Sequence, residues 1–229
     1  EMISATLIFM SIGTLFGIGG TSVISRALGE GKKEKARKSC AFCFWGCVFV
    51  GILLLAFILI FIDPILNLIG ASADTYEYAK SYLSIIVFAG PFVLISNCYG
   101  NVIRTEGESG KAMLGLLLGN LVNVILDPIF ILALGLDIKG AAIATVIGNI
   151  VGAGFYISYF LKGKSMLSIR LKDFTVKQGI AASVLAIGVP AALGDALMSV
   201  SHIISNSQMA HYGDMAVVGM TGLVWVQPV

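Results

Sequence analysis

Asp127 and Asp195 are the two carboxylates, of 13 acidic residues, that fall inside long apolar runs. Holding a carboxylate in a bilayer costs a few kcal/mol even on the lenient insertion scale, so such residues mark ion or substrate pathways. Asp127 ends the series Gly115-x3-Gly119-x3-Asn123-x3-Asp127-Pro128. Spacing of four places these residues on one helix stripe, with Asn120 beside it. The glycine end admits a second helix at close range. The Asn/Asp end supplies oxygen ligands and a titratable group. Pro128 has no N–H to give the Val124 carbonyl, so one backbone oxygen is freed beside Asp127. Freed carbonyls next to a carboxylate suit Na⁺ or a hydrated proton.

The following apolar run returns after a short turn, Gly135-Leu136-Asp137-Ile138-Lys139. Antiparallel geometry then matches depths: Asp127 lies ~10 Å and Thr145 ~8 Å below their outer ends. Asn149 sits one turn deeper, near the level of Asn123, and a small stripe at Gly140, Ala144, Gly148 and Gly152 favours tight packing. Asn123, Asp127 and Thr145, with Asn149, are therefore expected to form a polar pocket in the outer half of the bundle. The competing reading is that the amides and hydroxyl are interhelical glue, worth about 0.6 kcal/mol each, with Asp127 capped by Asn.

Asp195 admits two placements. It stands about 15 residues, or ~22 Å, into a helix starting at 180. Alternatively Pro190 starts the buried helix, and Asp195 becomes a first-turn anion. His202 and Asn206 share a face one turn apart. With Asn101, Asn120 and Asn149 they complete the polar candidates for a cavity. No catalytic set is expected. Gly107-Glu108-Ser109-Gly110 has the form of an intramembrane protease motif, but it lies in a charged loop away from either His. Cys40, Cys43 and Cys47 share a face and Cys98 sits at the same reducing side, so close packing is expected of them, not a disulfide or a soft-metal site. Neither cofactor nor metal is expected beyond a coupling ion, H⁺ or Na⁺, at Asp127, Asn123 and Thr145.

The elements that must carry these residues follow from composition. Of the 229 residues, 57% are hydrophobic and only 12% charged, and mean hydropathy is +0.93. These values exclude a soluble domain, a disordered chain and a coiled coil. Apolar blocks of about twenty residues exclude a transmembrane β-barrel. Seven spans are predicted, at 2–25, 39–62, 80–103, 112–134, 140–161, 180–207 and from about 215. Thirteen of the 15 basic residues fall in the loops 26–38, 104–111 and 162–178. The positive-inside rule puts those loops in the cytoplasm. Confinement of the basic residues to loops argues against nucleic-acid binding. The 162–178 linker interleaves Met166, Leu167, Ile169, Leu171 and Phe174 with Lys and Arg, which fits either an amphipathic helix on the inner leaflet or a solvated basic loop. Apolar runs at both ends, Glu1-Met2-Ile3 and Trp225 to Val229, are expected to be cuts within helices of a longer protein.

The stretch from Gly17 to Ala36, containing Ser25-Arg26-Ala27-Leu28-Gly29-Glu30-Gly31-Lys32-Lys33, resembles the second helix and following loop of the multidrug and toxic compound extrusion (MATE) transporters. Asn101-Val-Ile-Arg-Thr-Glu-Gly107 resembles the end of that family's fourth helix. Asn123-Val-Ile-Leu-Asp-Pro-Ile-Phe-Ile131 followed by Gly140-Ala-Ala-Ile-Ala-Thr145 resembles its fifth and sixth. The resemblance implies an all-α polytopic transmembrane bundle: one six-helix lobe lacking its first helix, plus the start of a second. Residues 1–161 would be the N-terminal lobe, 162–179 a cytoplasmic inter-lobe linker, and 180–229 the start of the C-terminal lobe. It also implies a cell-membrane exporter of cationic amphipathic drugs or toxins, exchanging them for H⁺ or Na⁺ by alternating access and acting as a monomer. Asn123, Asp127 and Thr145 match the family's N-lobe cation-site positions, and Asp195 lies in the helix where some branches carry an acidic residue. A lipid-linked saccharide flippase of related fold is the alternative. It calls for a larger, cationic cavity, whereas these spans carry no Lys or Arg.

Overall fold

The computed structural model describes residues 3–69, 73–163, 165–176 and 179–210. It is a helical bundle with α1 at Ile3–Gly29, α2 at Lys33–Ile60, α3 at Ile62–Ile69, α4 at Ala73–Ile86 and α5 at Gly90–Thr105. There follow α6 at Ser109–Pro128, α7 at Asp137–Leu161 and α8 at Ile180–Ala210. Among the described residues, five helical stretches are long and apolar enough to cross a membrane: Lys33–Ile60, Lys80–Thr105, Ser109–Ala133, Asp137–Leu161 and Ile180–Met198. The first predicted span is α1. The seventh, from about 215, lies outside the described residues.

The boundaries differ from the hydropathy reading where polar sequence extends a helix. α2 starts at Lys33, six residues before its apolar run, because Glu34 and Lys38 pair at 2.6 Å across one turn while Ala36 is buried beneath them. The third span reaches outward to Ala73 and is interrupted by a 3-10 turn at Val87–Ala89, after which Gly90-Pro91 restarts the helix. Proline is tolerated there because first-turn N–H groups have no intrahelical partner. Its Cα lies 2.8 Å from where a Gly51 side chain would begin, so α2 and α5 touch through bare backbone. The short α3 caps the outer end. Asp63 accepts hydrogen bonds from Tyr76 at 2.7 Å and Lys80 at 2.6 Å, tying α3 to α4.

The core sits where α1, α2 and α5 meet, on Ile24, Leu94, Tyr99, Val102 and Ile103. All four cysteines are free and buried, and no metal-binding cluster occurs among the described residues. The Tyr99 hydroxyl donates to the Cys40 carbonyl at 2.9 Å, so this core is also hydrogen-bonded. α8 lies against α1. Their crossing is glycine on glycine: a Cβ at Gly188 would run into the Leu15 carbonyl oxygen, and one at Gly19 into the Val184 carbonyl oxygen. α8 is continuous through Pro190, which removes the alternative in which that proline starts the helix. Asp195 is a mid-helix, part-buried residue and not a first-turn anion.

The three basic loops meet at one end. Arg37 pairs with Asp173 at 3.4 Å, and Phe42 stacks on Phe174 with ring centroids 6.1 Å apart. Glu106, just after α5, accepts from the Ser165 hydroxyl at 2.6 Å, the Met166 N–H at 3.1 Å and the Tyr159 hydroxyl at 3.2 Å. Both expectations for the linker need correction. It is not an amphipathic helix, its only described helical piece being a 3-10 turn at Leu171–Asp173, and it is a loop solvated only in part, with Met166, Arg170 and Lys172 exposed but Leu167, Ser168 and Ile169 buried. Ser165 and Ser168 accept from the N–H groups of Leu167 and Arg170, each two residues on. These local bonds satisfy backbone that a helix would otherwise satisfy.

Because the α1–α8 contact is backbone on backbone, Gly188→Val has no flexible neighbour to push aside. Overpacking of this kind costs about 1–3 kcal/mol. The variant of the full-length protein should show a lower thermal unfolding midpoint in detergent. Gly154→Ala, where added atoms meet nothing within 4 Å, should not lower that midpoint.

Candidate cation site

α6 and α7 form the closest pair around the predicted pocket. A Cβ on Gly148 would stand 2.7 Å from the Gly119 carbonyl oxygen, and one on Gly119 would stand 2.9 Å from that of Gly148. Gly152 repeats the contact one turn on, 3.3 Å from the Gly115 carbonyl oxygen. The backbones are therefore as near as packed helices allow, which brings the short polar side chains within reach of one another. At the outer end the Phe130 backbone fills the space beside Gly140 at 2.9 Å.

Asn123 Nδ2 donates to Thr145 Oγ1 at 3.2 Å, joining the two helices. Thr145 Oγ1 in turn donates to the Ala141 carbonyl at 2.9 Å. The threonine proton is thus spent on its own helix, its oxygen accepts from Asn123, and the Asn123 carbonyl oxygen is left as an acceptor. One turn further, Asp127 is part-buried, and its Oδ1 is buried with no hydrogen-bond partner. A buried carboxylate oxygen without a donor is costly unless a cation or proton occupies it. The donor set is all oxygen: a carboxylate, an amide carbonyl and a hydroxyl. Such hard ligands suit Na⁺ or a proton and not a soft metal.

α6 does not run on after Pro128. Residues Ile129–Ala133 form a π turn, in which the Leu134 N–H bonds the Ile129 carbonyl at 3.0 Å. A proline followed by a π turn is a bend point immediately beyond Asp127. Gly135, with φ +61°, then turns the chain into α7.

The remaining candidates are dispersed. Asn149 donates to the Thr145 carbonyl at 2.9 Å, and with Thr145 it lines a cavity of about 80 Å³. Asn120 is exposed on α6, away from the pocket. Asn101 lies near the basic end of α5, where its amide bonds the Asn97 carbonyl at 3.0 Å and packs on Gly17. Asp195 stands on α8. The side chains of His202 and Asn206 lie outside the described residues. Sequence reasoning missed Tyr82 of α4, which lines the same cavity and lies within electrostatic range of Asp127. Starting the third span at residue 80 had placed Tyr82 at the membrane edge. The helix begins at Ala73, so Tyr82 lies nine residues, or ~14 Å, along it.

The fold is that of a polytopic α-helical membrane protein. Comparison with known proteins gives the family. A model described as MatE matches residues 2–129. The multidrug export protein MepA of Staphylococcus aureus (strain NCTC 8325 / PS 47) is 33% identical over 210 residues, which cover 92% of this chain and 47% of that protein. MepA of Staphylococcus haemolyticus (strain JCSC1435) is 34% identical over 210 residues, 92% of this chain and 46% of that protein. A crystal structure of MATE in complex with MaL6 superposes with a TM-score of 0.89 at 27% identity, over 96% of this chain and 49% of that one. An inward-facing multidrug resistance MATE family transporter superposes with a TM-score of 0.83 at 27% identity, over 96% of this chain and 50% of that one. An outward-facing one gives 0.85 at 28%, over 93% and 47%. The chain belongs to the MATE family and is a multi-pass protein of the cell membrane. It spans about half the length of the curated relatives it matches.

Thr145→Val keeps the shape of the side chain but removes the Asn123 acceptor. It should lower stability by about 0.6 kcal/mol, the typical worth of an interhelical hydrogen bond in a membrane. A double-mutant cycle with Asn123→Ala, read by thermal unfolding, should show the two substitutions to be coupled and not additive.

Proposed function

We propose that this chain is part of a secondary active multidrug efflux transporter, exporting cationic amphipathic compounds in antiport with H⁺ or Na⁺. Asp127, Asn123 and Thr145 bind the coupling cation, and Tyr82 and Asn149 border it. The observation that carries this reading is the unpartnered Asp127 oxygen beside the Asn123–Thr145 bond. A merely structural carboxylate at this depth would be expected to find a donor. Support for export of drugs comes from the MepA relatives, which are named multidrug export proteins.

The mechanism follows from differential binding. A ligand shifts an equilibrium only by its difference in affinity between the two states. A cation on Asp127 removes the cost of the buried charge and so favours the conformation that closes around it. The bend at Pro128 and the π turn lets the outer end of α6 move while the Gly119–Gly148 contact stays packed. Cation release restores a charge that needs water or a cationic substrate, favouring the other conformation. Structures of family members in inward- and outward-facing forms supply the two end states that such a cycle requires.

The test is transport by the full-length protein in proteoliposomes with an imposed pH or Na⁺ gradient. Asp127→Asn keeps the volume and removes the charge. Gradient-driven efflux of a fluorescent cationic dye should fall at least tenfold, on the order of the loss expected for a fully coupled site. Unimpaired coupled efflux in this variant would overturn the assignment. Which of the two gradients drives the wild-type protein identifies the ion.

A further inference from the structure

A second cavity lies away from the candidate cation site. It has a volume of about 260 Å³ and lies at the basic end, between the end of α7 and the linker. Arg37 and Arg170 stand on its wall beside Ser165 and Ser168, and Phe160 and Leu161 of α7 form its membrane side. Phe160 is buried, whereas Leu161 is 69% exposed where α7 leaves the apolar layer. One side of the cavity is therefore cationic and the other is continuous with apolar helix surface.

The cavity is built and not incidental. Its linker wall is fixed by the three hydrogen bonds to Glu106, of which those from Ser165 and Met166 come from the wall itself. The buried Leu167 and Ile169 anchor the same segment from beneath. Arg37 has a carboxylate neighbour, Asp173, but the contact is a single one at 3.4 Å, longer than the 2.7–2.9 Å of a strong charge-assisted bond. Most of its guanidinium donors are left for another anion. Two guanidinium groups around one cavity match a tetrahedral oxyanion, since each presents a planar fork of donors. The position, at headgroup depth on the face where positive charge collects, matches a phosphate ester.

We propose that this cavity binds a phosphate group, as carried by an anionic phospholipid headgroup or by free phosphate. Arg37 and Arg170 hold the phosphate oxygens, and Phe160 and Leu161 receive the apolar part when a lipid is the source. Occupation would join α2, α7 and the linker through one ligand.

Native mass spectrometry of the full-length protein, titrated with phosphatidylglycerol against phosphatidylcholine, tests this. Phosphatidylglycerol should bind more tightly, and R37Q/R170Q should weaken it about 25-fold, roughly fivefold per arginine. D173N frees Arg37 from its competing carboxylate and should tighten binding about twofold to fivefold. That gain of affinity cannot come from misfolding, so D173N decides the matter even if the double variant proves unstable. Displacement of bound phosphatidylglycerol by millimolar inorganic phosphate identifies free phosphate as a ligand. Resistance to it, with retained phosphatidylglycerol binding, identifies the lipid. Equal affinity for the two lipids with no effect of inorganic phosphate, or binding unchanged by R37Q/R170Q or weakened by D173N, overturns the proposal.

Discussion

The approach of α6 and α7 at Gly119 and Gly148 is the constraint on which the candidate site rests. In a bilayer there is no hydrophobic gain in moving one helix from lipid to another helix, so association depends on close contact and on hydrogen bonds. Only when the two backbones meet without side chains between them can an asparagine on one helix reach a threonine on the other. Two turns beyond Gly119 on the same helix, the Asp127 oxygen is buried without a donor. Stability and chemistry here have one cause. The glycines that allow packing also set the register in which Asn123 meets Thr145.

The opposite end of the bundle works by different physics. There Glu106 gathers a hydroxyl from α7 and a hydroxyl and an N–H from the linker, at the boundary where charged groups meet water. Positive charge is concentrated on this face, yet the loops do not repel into solvent. Glu106 and Asp173 hydrogen-bond or pair across them, and Glu34 pairs with Lys38 within α2. The result is a packed basic surface at one end of a glycine-packed interior. α8 is held to α1 by the same backbone-on-backbone contact seen between α6 and α7.

Much of this was legible in residue order. Apolar run length marked the helices, and the basic residues marked the loops that meet at one end. The Gly-x3-Gly-x3-Asn-x3-Asp spacing indicated both the packing face of α6 and the polar group above it. Depth matching from the short turn set Thr145 level with Asp127 and Asn149 near Asn123, about one turn off the observed Asn123–Thr145 bond, because α7 begins at Asp137 and so carries Thr145 deeper than a start at 140 would. Hydropathy failed where polar residues continue a helix. α2 begins in a charged segment, and α4 extends outward past Lys80 into polar sequence, which hid Tyr82.

Sequence by itself determined the membrane class, the end at which the basic loops gather, the pair of helices and the candidate ligands, because those follow from local composition, charge and helical period. Only the tertiary structure decided which polar atoms meet. Asn120 and Asn123 are three residues apart, yet one faces outward and the other bonds Thr145. The linker likewise has an amphipathic pattern that fits a surface helix, but Glu106, 59 residues before Ser165, draws it into a packed coil. Contacts between residues far apart in the chain depend on how whole helices are placed, and no local period carries that information.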